Sequence, residues 1–248
     1  MANKKKRLIE VDENMFNKAI DLYWKWYELN GELKEFYSRG VNLHEGITES
    51  LKQEGYYFRY QVLNSMEYGN IPQNRERIYL VGFKSKEECD KFYFPEPIAL
   101  TTTIHDITKP NEKKDDKYYY EKSKYYTMLS EAMTNKDTVY QLRRIYVREN
   151  KKGVCPTLTA NMGTGGHNVP LILDDFGIRK LTPRETLMLQ GFPEDYKIPE
   201  KMANSHIYKQ AGNSVTVTVI ERIAKNIMKA INDAKYIDAM DEVALSIE

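Results

Sequence analysis

An α/β fold is predicted for this chain by three of its segments. Arg77–Phe83 carries Ile78-Tyr79-Leu80-Val81, a β-rich apolar run suited to a strand in a covered sheet. Thr182-Pro183-Arg184-Glu185 is a strong helix start: threonine caps, proline takes the first helical position, and glutamate closes a capping box. From about Val215 to Ala234, residues Val219, Ile220, Ile223, Ile227 and Ile231 share one helical face, with Arg222, Lys225 and Lys229 off it.

The remaining elements follow in order. Residues 12–37 read as an amphipathic helix capped by Asp12. Phe16, Ala19, Ile20, Tyr23, Trp26, Tyr27 and Leu33 recur at steps of three and four, and Gly31 weakens its end. Thr48 to Gly55 is a short helix stopped by its glycine. Tyr57 to Leu63 is strand-like, and Glu67 to Glu76 is a polar loop leading to the Arg77–Phe83 strand. From Ser85 to about Asn150 the pattern decays, and the charged, tyrosine-rich stretch Glu112 to Tyr126 reads as a variable insert or flexible arm, not a core element. Order resumes at Val154–Ala160, followed by a glycine-rich turn over 163–166, a strand at Leu171–Leu173, and the capped helix, which Gly191 ends. No internal repeat of fixed period is present.

Composition narrows the class without naming a function. The 248 residues are 41% hydrophobic and 29% charged, as expected of a globular chain, and no apolar run is long enough to span a bilayer. No signal peptide is read at the N-terminus. Two distant cysteines, Cys89 and Cys155, form neither a disulfide framework nor a zinc cluster, so no metal site is expected and a reducing cytoplasm is. The net charge of +1 leaves nucleic-acid binding open, because only the face that meets phosphate need be basic.

Three stretches carry a specific resemblance. They are Tyr68-Gly-Asn-Ile-Pro-Gln73-Asn-Arg75-Glu-Arg77 running into its strand, Arg179-Lys-Leu-Thr-Pro-Arg-Glu185 running on to Pro193, and Tyr208-Lys-Gln-Ala-Gly212-Asn213-Ser214-Val215. In order and rough spacing they resemble the last three numbered motifs of the DNA (cytosine-5) methyltransferases, over about residues 47–235. The resemblance implies a partial doubly wound methyltransferase sheet built from 46–84 and 195–235. A mainly β target-recognition domain (85–194) is inserted between them, with an N-terminal extension (1–45) and a tail (236–248).

It also implies roles. Gln73, Arg75 and Arg77 would form the pocket for a flipped cytosine, a task suited to the planar, permanently charged guanidinium. Read without the resemblance, the same run is a surface salt-bridge cluster with Glu76. Asn213, Ser214 and Val215, read as the opening of the last helix, would complete the site for the methionine part of S-adenosyl-L-methionine. Without the resemblance they are a helix cap. Thr157 and Thr159 would meet DNA phosphate, or else form a turn between strands. Glycines 163, 165 and 166 would let backbone approach the duplex. Arg143, Arg144, Arg148, Lys151 and Lys152 could add phosphate contacts, or form a solvated face. The Arg179–Pro193 segment would serve as scaffold.

The family's cysteine after proline, its Glu-Asn-Val motif and its Phe-x-Gly-x-Gly cofactor turn do not occur in this sequence. Cys155 precedes Pro156 and reads as a small buried hydrophobe. The chain alone is therefore expected to be inactive. Its expected partners are duplex DNA and a separate N-terminal methyltransferase subunit, in a bacterial or phage restriction-modification setting. A stand-alone DNA-binding module and an inactive remnant remain the alternatives.

Overall fold

The computed structural model describes residues 43–143, 145–150, 153–164 and 168–245, with side chains from 47 to 235. The helix expected over 12–37 lies outside these residues, as do Arg144, Lys151, Lys152, Gly165 and Gly166.

The chain divides into two compact units, one ending at Tyr57 and one beginning at Phe58. In the first, helix α1 (Leu43–Gln53) starts five residues before the expected Thr48. It is followed by Gly55 at φ +73°, a left-handed turn that glycine adopts without strain.

Strand β1 (Tyr57–Asn64) runs from that junction into the second unit. There the polar loop is more ordered than expected: Asn64 caps the single turn α2 (Ser65–Tyr68), and a two-residue strand β2 (Gln73–Asn74) precedes β3 (Glu76–Phe83). Helix α3 (Lys86–Lys91) is capped by Ser85, and α4 (Ile104–Thr108) by a Thr103–Asp106 capping box. A 3-10 turn (Asp116–Tyr118), α5 (Tyr126–Ala132), β4 (Tyr140–Leu142), β5 (Val147–Glu149) and β6 (Cys155–Pro156) follow. After a 3-10 turn at Ala160–Gly163 come β7 (Leu171–Asp174), β8 (Gly177–Lys180), α6 (Pro183–Met188), α7 (Asn204–Asn213) and α8 (Val217–Leu245). The Thr182–Glu185 capping box forms as the sequence predicts.

Three sheets organise the second unit. β1 pairs with β3, β2 pairs in parallel with β6, and β5-β4-β7-β8 form an antiparallel sheet inside the expected recognition segment. Strand β3 alternates, with Phe83 buried, Tyr79 and Val81 half-buried, and Ile78 and Leu80 exposed. The inward residues, with Leu63 of β1, pack on Phe92 of the α3–α4 connection and on Val219, Ile223 and Ala230 of α8. The largest core gathers Val139, Cys155, Leu158, Ile172, Leu181, Leu187, Leu189 and Ala211.

One expectation of the fold needs correction. Residues 112–126 are not an arm. Tyr118 is buried, the Tyr119 hydroxyl donates to the Asp174 carboxylate (3.0 Å), and the Tyr120 N–H bonds the Ile178 carbonyl on β8. The tyrosines supply the packing that the charged residues between them hide from a periodicity reading. Cys89 is also buried, in the core under β3.

A buried ion cluster fixes the β7–β8 hairpin to α6. The fully buried Arg179 guanidinium donates to Asp174 (2.5 Å), to both Glu185 oxygens (2.8 and 2.9 Å) and to the Thr108 carbonyl (3.1 Å). Glu185 also accepts the Thr182 N–H at 2.6 Å, so the capping glutamate serves helix and ion cluster together. Burial pulls the Arg179 pKa down, but the bonds and charges of Glu185 and Asp174 outweigh it and raise it above the ordinary value.

Candidate functional site

The three resemblance motifs converge on the residues between β1 and β3. The Asn64 carboxamide accepts the N–H groups of Met66 (3.3 Å) and Arg75 (3.2 Å) and donates to Asn74 (2.7 Å), holding the end of β1 to the Gln73–Arg77 segment.

Gln73 is fully buried and both ends of its amide are used. Its nitrogen donates to the Leu189 carbonyl at 2.6 Å, and its oxygen accepts the Leu158 N–H at 3.0 Å. Gln190, one residue on, donates to the Ala211 carbonyl (2.7 Å), and its own carbonyl accepts the Val217 N–H (2.8 Å). Two glutamines thus tie the first motif, the second motif and the α7–α8 junction into one buried network.

Arg75 closes the network. Its guanidinium donates to the carbonyls of Leu158 (2.7 Å), Ser214 (2.8 Å) and Gly212 (3.3 Å) and is 4% exposed. Burial and then the neighbouring Arg77 charge pull its pKa down to about 10, so it stays charged at neutral pH. Arg77 differs. It is exposed, and its guanidinium donates to the adjacent Glu76 carbonyl. Of the three motif residues, Arg77 alone keeps its guanidinium accessible.

Gly212-Asn213-Ser214-Val215 does not open a helix, as the sequence reading had it. Gly212 and Asn213 end α7, Ser214 follows as its cap, and α8 begins at Val217. The reason is a backbone crossing. A Cβ on Gly212 would lie 2.1–2.3 Å from Thr159 and Ala160 backbone atoms, so the glycine marks where α7 presses flat on the segment after β6. Gly163 does the same two turns away along α7, where a Cβ would meet the Ser205 carbonyl at 2.4 Å. Its bare backbone therefore faces α7. Asn213 and Val215 are left exposed, while the Ser214 hydroxyl donates to the Ala211 carbonyl (2.9 Å).

Thr157 and Thr159 flank the buried Leu158. The Thr157 hydroxyl donates to the Asn74 carbonyl (2.8 Å), and Thr159 is exposed. Arg143 stands apart, in the turn between β4 and β5, exposed and bonded to Gln141 (3.0 Å). Sequence reasoning missed Asn64 altogether and quoted Gln190 only within a motif. Its one available signal was an amide beside a proposed pocket.

A family model for C-5 cytosine-specific DNA methylases matches residues 31–229. The chain belongs to that family. The Type II methyltransferase M.Bsp6I of Bacillus sp. (strain RFL6) is 57% identical over 192 residues, which is 77% of this chain and 61% of that protein. M.HhaI of Haemophilus parahaemolyticus is 33% identical over 208 residues, 79% of this chain and 60% of the relative. The family fold extends to solved structures of low identity. The Entamoeba histolytica methyltransferase EhMeth aligns with a TM-score of 0.58 at 14% identity, covering 78% of this chain and 60% of that one. The S. pombe Dnmt2 methyltransferase aligns at 0.54 and 16%, covering 77% and 64%. The chain spans about three-fifths of the length of the curated relatives it matches.

Within this family member, Cys155 is fully buried, and burial pushes its thiol far above the ordinary range. The folded chain should therefore hold Cys155 inert. Peptide mapping after iodoacetamide at pH 8 is expected to show its modification at least about tenfold slower than in the unfolded chain. Equal rates would mean that the β2–β6 region opens freely. No described helix is long and apolar enough to cross a membrane.

Proposed function

We propose that this chain is the DNA-recognising, C-terminal part of a DNA (cytosine-5) methyltransferase of restriction-modification type. It acts with a complementary N-terminal segment, on a separate polypeptide, that carries the catalytic cysteine. The observation that supports this most directly is the convergence at Arg75. One buried guanidinium holds the target-cytosine motif, the Leu158 carbonyl between Thr157 and Thr159, and the Gly212–Ser214 carbonyls. A chain that had to align DNA, base and cofactor would need that link.

Roles divide according to exposure. Arg77 meets the flipped cytosine, a base that must leave the duplex for carbon 5 to be reached. Gln73 and Arg75, with their groups already committed inside the chain, position the segment that bears it. Thr159 and Arg143 face phosphate, Arg144 is assigned with them from the sequence, and Thr157 braces that edge through Asn74. For S-adenosyl-L-methionine, the exposed Asn213 amide and Val215 side chain suit the polar and apolar ends of a methionine moiety, with Ser214 holding the turn that presents them. The cofactor supplies the methyl group. Residues 46–84 and 195–235 belong to the catalytic domain and 85–194 to target recognition.

The test is methyl transfer from labelled S-adenosyl-L-methionine to mixed-sequence duplex DNA, with the chain alone and with an N-terminal methyltransferase segment. Activity only in the mixture supports the reading. Activity from the chain alone would refute the account of the nucleophile. Inactivity in both, with retained salt-dependent DNA binding, would favour a binding module; without such binding, an inactive remnant. In an active pair, Arg77→Ala is expected to lower the transfer rate on the order of a hundredfold, as loss of one donor to a reacting group does, while co-purification persists. A normal rate would remove Arg77 from the cytosine pocket.

A further inference from the structure

The connection between α3 and α4 has no helix or strand over residues 93–103, yet polar groups strap it down from end to end. Side chains of α8 hold its first part. The Asn226 amide donates to the Tyr93 carbonyl (2.8 Å), and the Arg222 guanidinium spans the carbonyls of Glu96 (2.7 Å) and Tyr68 (2.8 Å). The Ile98 N–H then bonds the Glu67 carbonyl (2.7 Å). At the far end, the Asn70 side-chain oxygen accepts the N–H groups of Thr101 (2.7 Å) and Thr102 (3.0 Å), and its nitrogen donates to the Thr101 hydroxyl (2.9 Å). Asn70 does this from φ +51°, a left-handed backbone that asparagine tolerates better than most residues with a side chain.

The strap joins two functional parts. Asn70 stands in the turn between α2 and β2, which delivers Gln73, Arg75 and Arg77, and that turn is pinned to α8 by the Thr218 hydroxyl donating to the Gly69 carbonyl (2.7 Å). Beyond Thr102, Thr103 caps α4, whose Ile104 and Ile107 enter the largest core and whose Thr108 carbonyl accepts Arg179. From this path we infer that Asn70 is a positioning residue. Its carboxamide sets where the recognition segment starts relative to the Gln73–Arg77 motif, so that a base extruded from the DNA held by that segment arrives at Arg77. The inference rests on the reading of the chain as the DNA-recognising part of a methyltransferase. The Asn70–Thr101 bonds are open to solvent, where competition with water makes them weak stabilisers, so their effect is on geometry more than on stability.

The clamp is tested in the full chain alone. Asn70→Gly removes the acceptor and keeps the left-handed backbone unstrained. By NMR, the Thr101 and Thr102 amides should exchange at least about tenfold faster in this variant than in the wild type. Equal exchange in the two chains overturns the clamp and leaves the methyltransferase reading standing.

The positioning role is read after assembly with the N-terminal segment of the 57%-identical Bacillus methyltransferase, on mixed-sequence duplex DNA with labelled S-adenosyl-L-methionine. Asn70→Gly is expected to lower the single-turnover transfer rate at least about tenfold, as misplacement of reacting groups does, with DNA affinity held within about twofold. Its melting temperature should stay within about 2 °C of wild type. Asn70→Asp, whose carboxylate still accepts both N–H groups, should recover most of the rate. A wild-type rate in Asn70→Gly overturns the role, as does a loss that comes with a lower melting temperature or that Asn70→Asp shares. Weaker DNA binding at an unchanged rate overturns it too, and assigns Asn70 to DNA affinity. An inactive wild-type pair overturns the complementation reading and this role with it, whatever the amide exchange shows.

Discussion

Replacing Arg179 with methionine is expected to cost the chain about 3–5 kcal/mol, as breaking one side of a buried charge cluster does. Asp174 and Glu185 are both buried, and Arg179 is the cation that meets each of them. Its removal strands two carboxylates and the Thr108 carbonyl together. Glu185 also caps α6 through the Thr182 N–H, so its displacement should loosen the helix start as well as the β7–β8 hairpin. At roughly 2–4 °C per kcal/mol for a chain of this size, the melting temperature should fall by about 10 °C. Arg179→Lys should recover only a small part of it, because an ammonium cannot reproduce the fork that spans both Glu185 oxygens. A melt within about 2 °C of wild type would mean that the cluster contributes specificity alone.

Gly212→Ala should have an effect of similar size for a steric reason. The added methyl would have to share space with the Thr159 and Ala160 backbone, and backbone cannot rotate away as a side chain can. The crossing of α7 over the 160–163 turn must widen, at a cost of about 3 kcal/mol or more. It also lengthens the reach from Arg75 to the Gly212 and Ser214 carbonyls. Beyond the lower melting temperature, this variant should therefore weaken DNA binding and cofactor use together in an assembled pair, since Thr159 and Asn213 are held by the same crossing. Wild-type stability would show that the two segments do not approach so closely in solution.

The candidate site was legible in the sequence as a set of segments but not as an arrangement. Gln73, Arg75 and Arg77 read as three equivalent donors because their spacing is regular and each is polar. The fold separates them: two face inward to carbonyls on segments more than eighty residues away, and one stays in solvent. Likewise Gly212-Asn213-Ser214 looks like any helix cap. Whether it starts one helix or ends another depends on Gly212 lying against Thr159, a contact no local pattern records.

The sequence by itself determined the local elements and the family. The Ile78–Val81 run, the Thr182–Glu185 capping box, the stop at Gly55 and the apolar face of α8 each act through neighbours within a few residues. Their consequences survive in any tertiary setting. Only the tertiary structure decided which polar groups are spent on the chain itself and which remain for a ligand. It turned Arg75 and Gln73 into struts, gave the tyrosines of 112–126 a core to enter, and left Val62, Ile78 and Leu80 facing outward. Burial and hydrogen-bond partnership are set by residues far apart in the chain, and a polar side chain carries no local mark of whether its partner will be a distant carbonyl or a base.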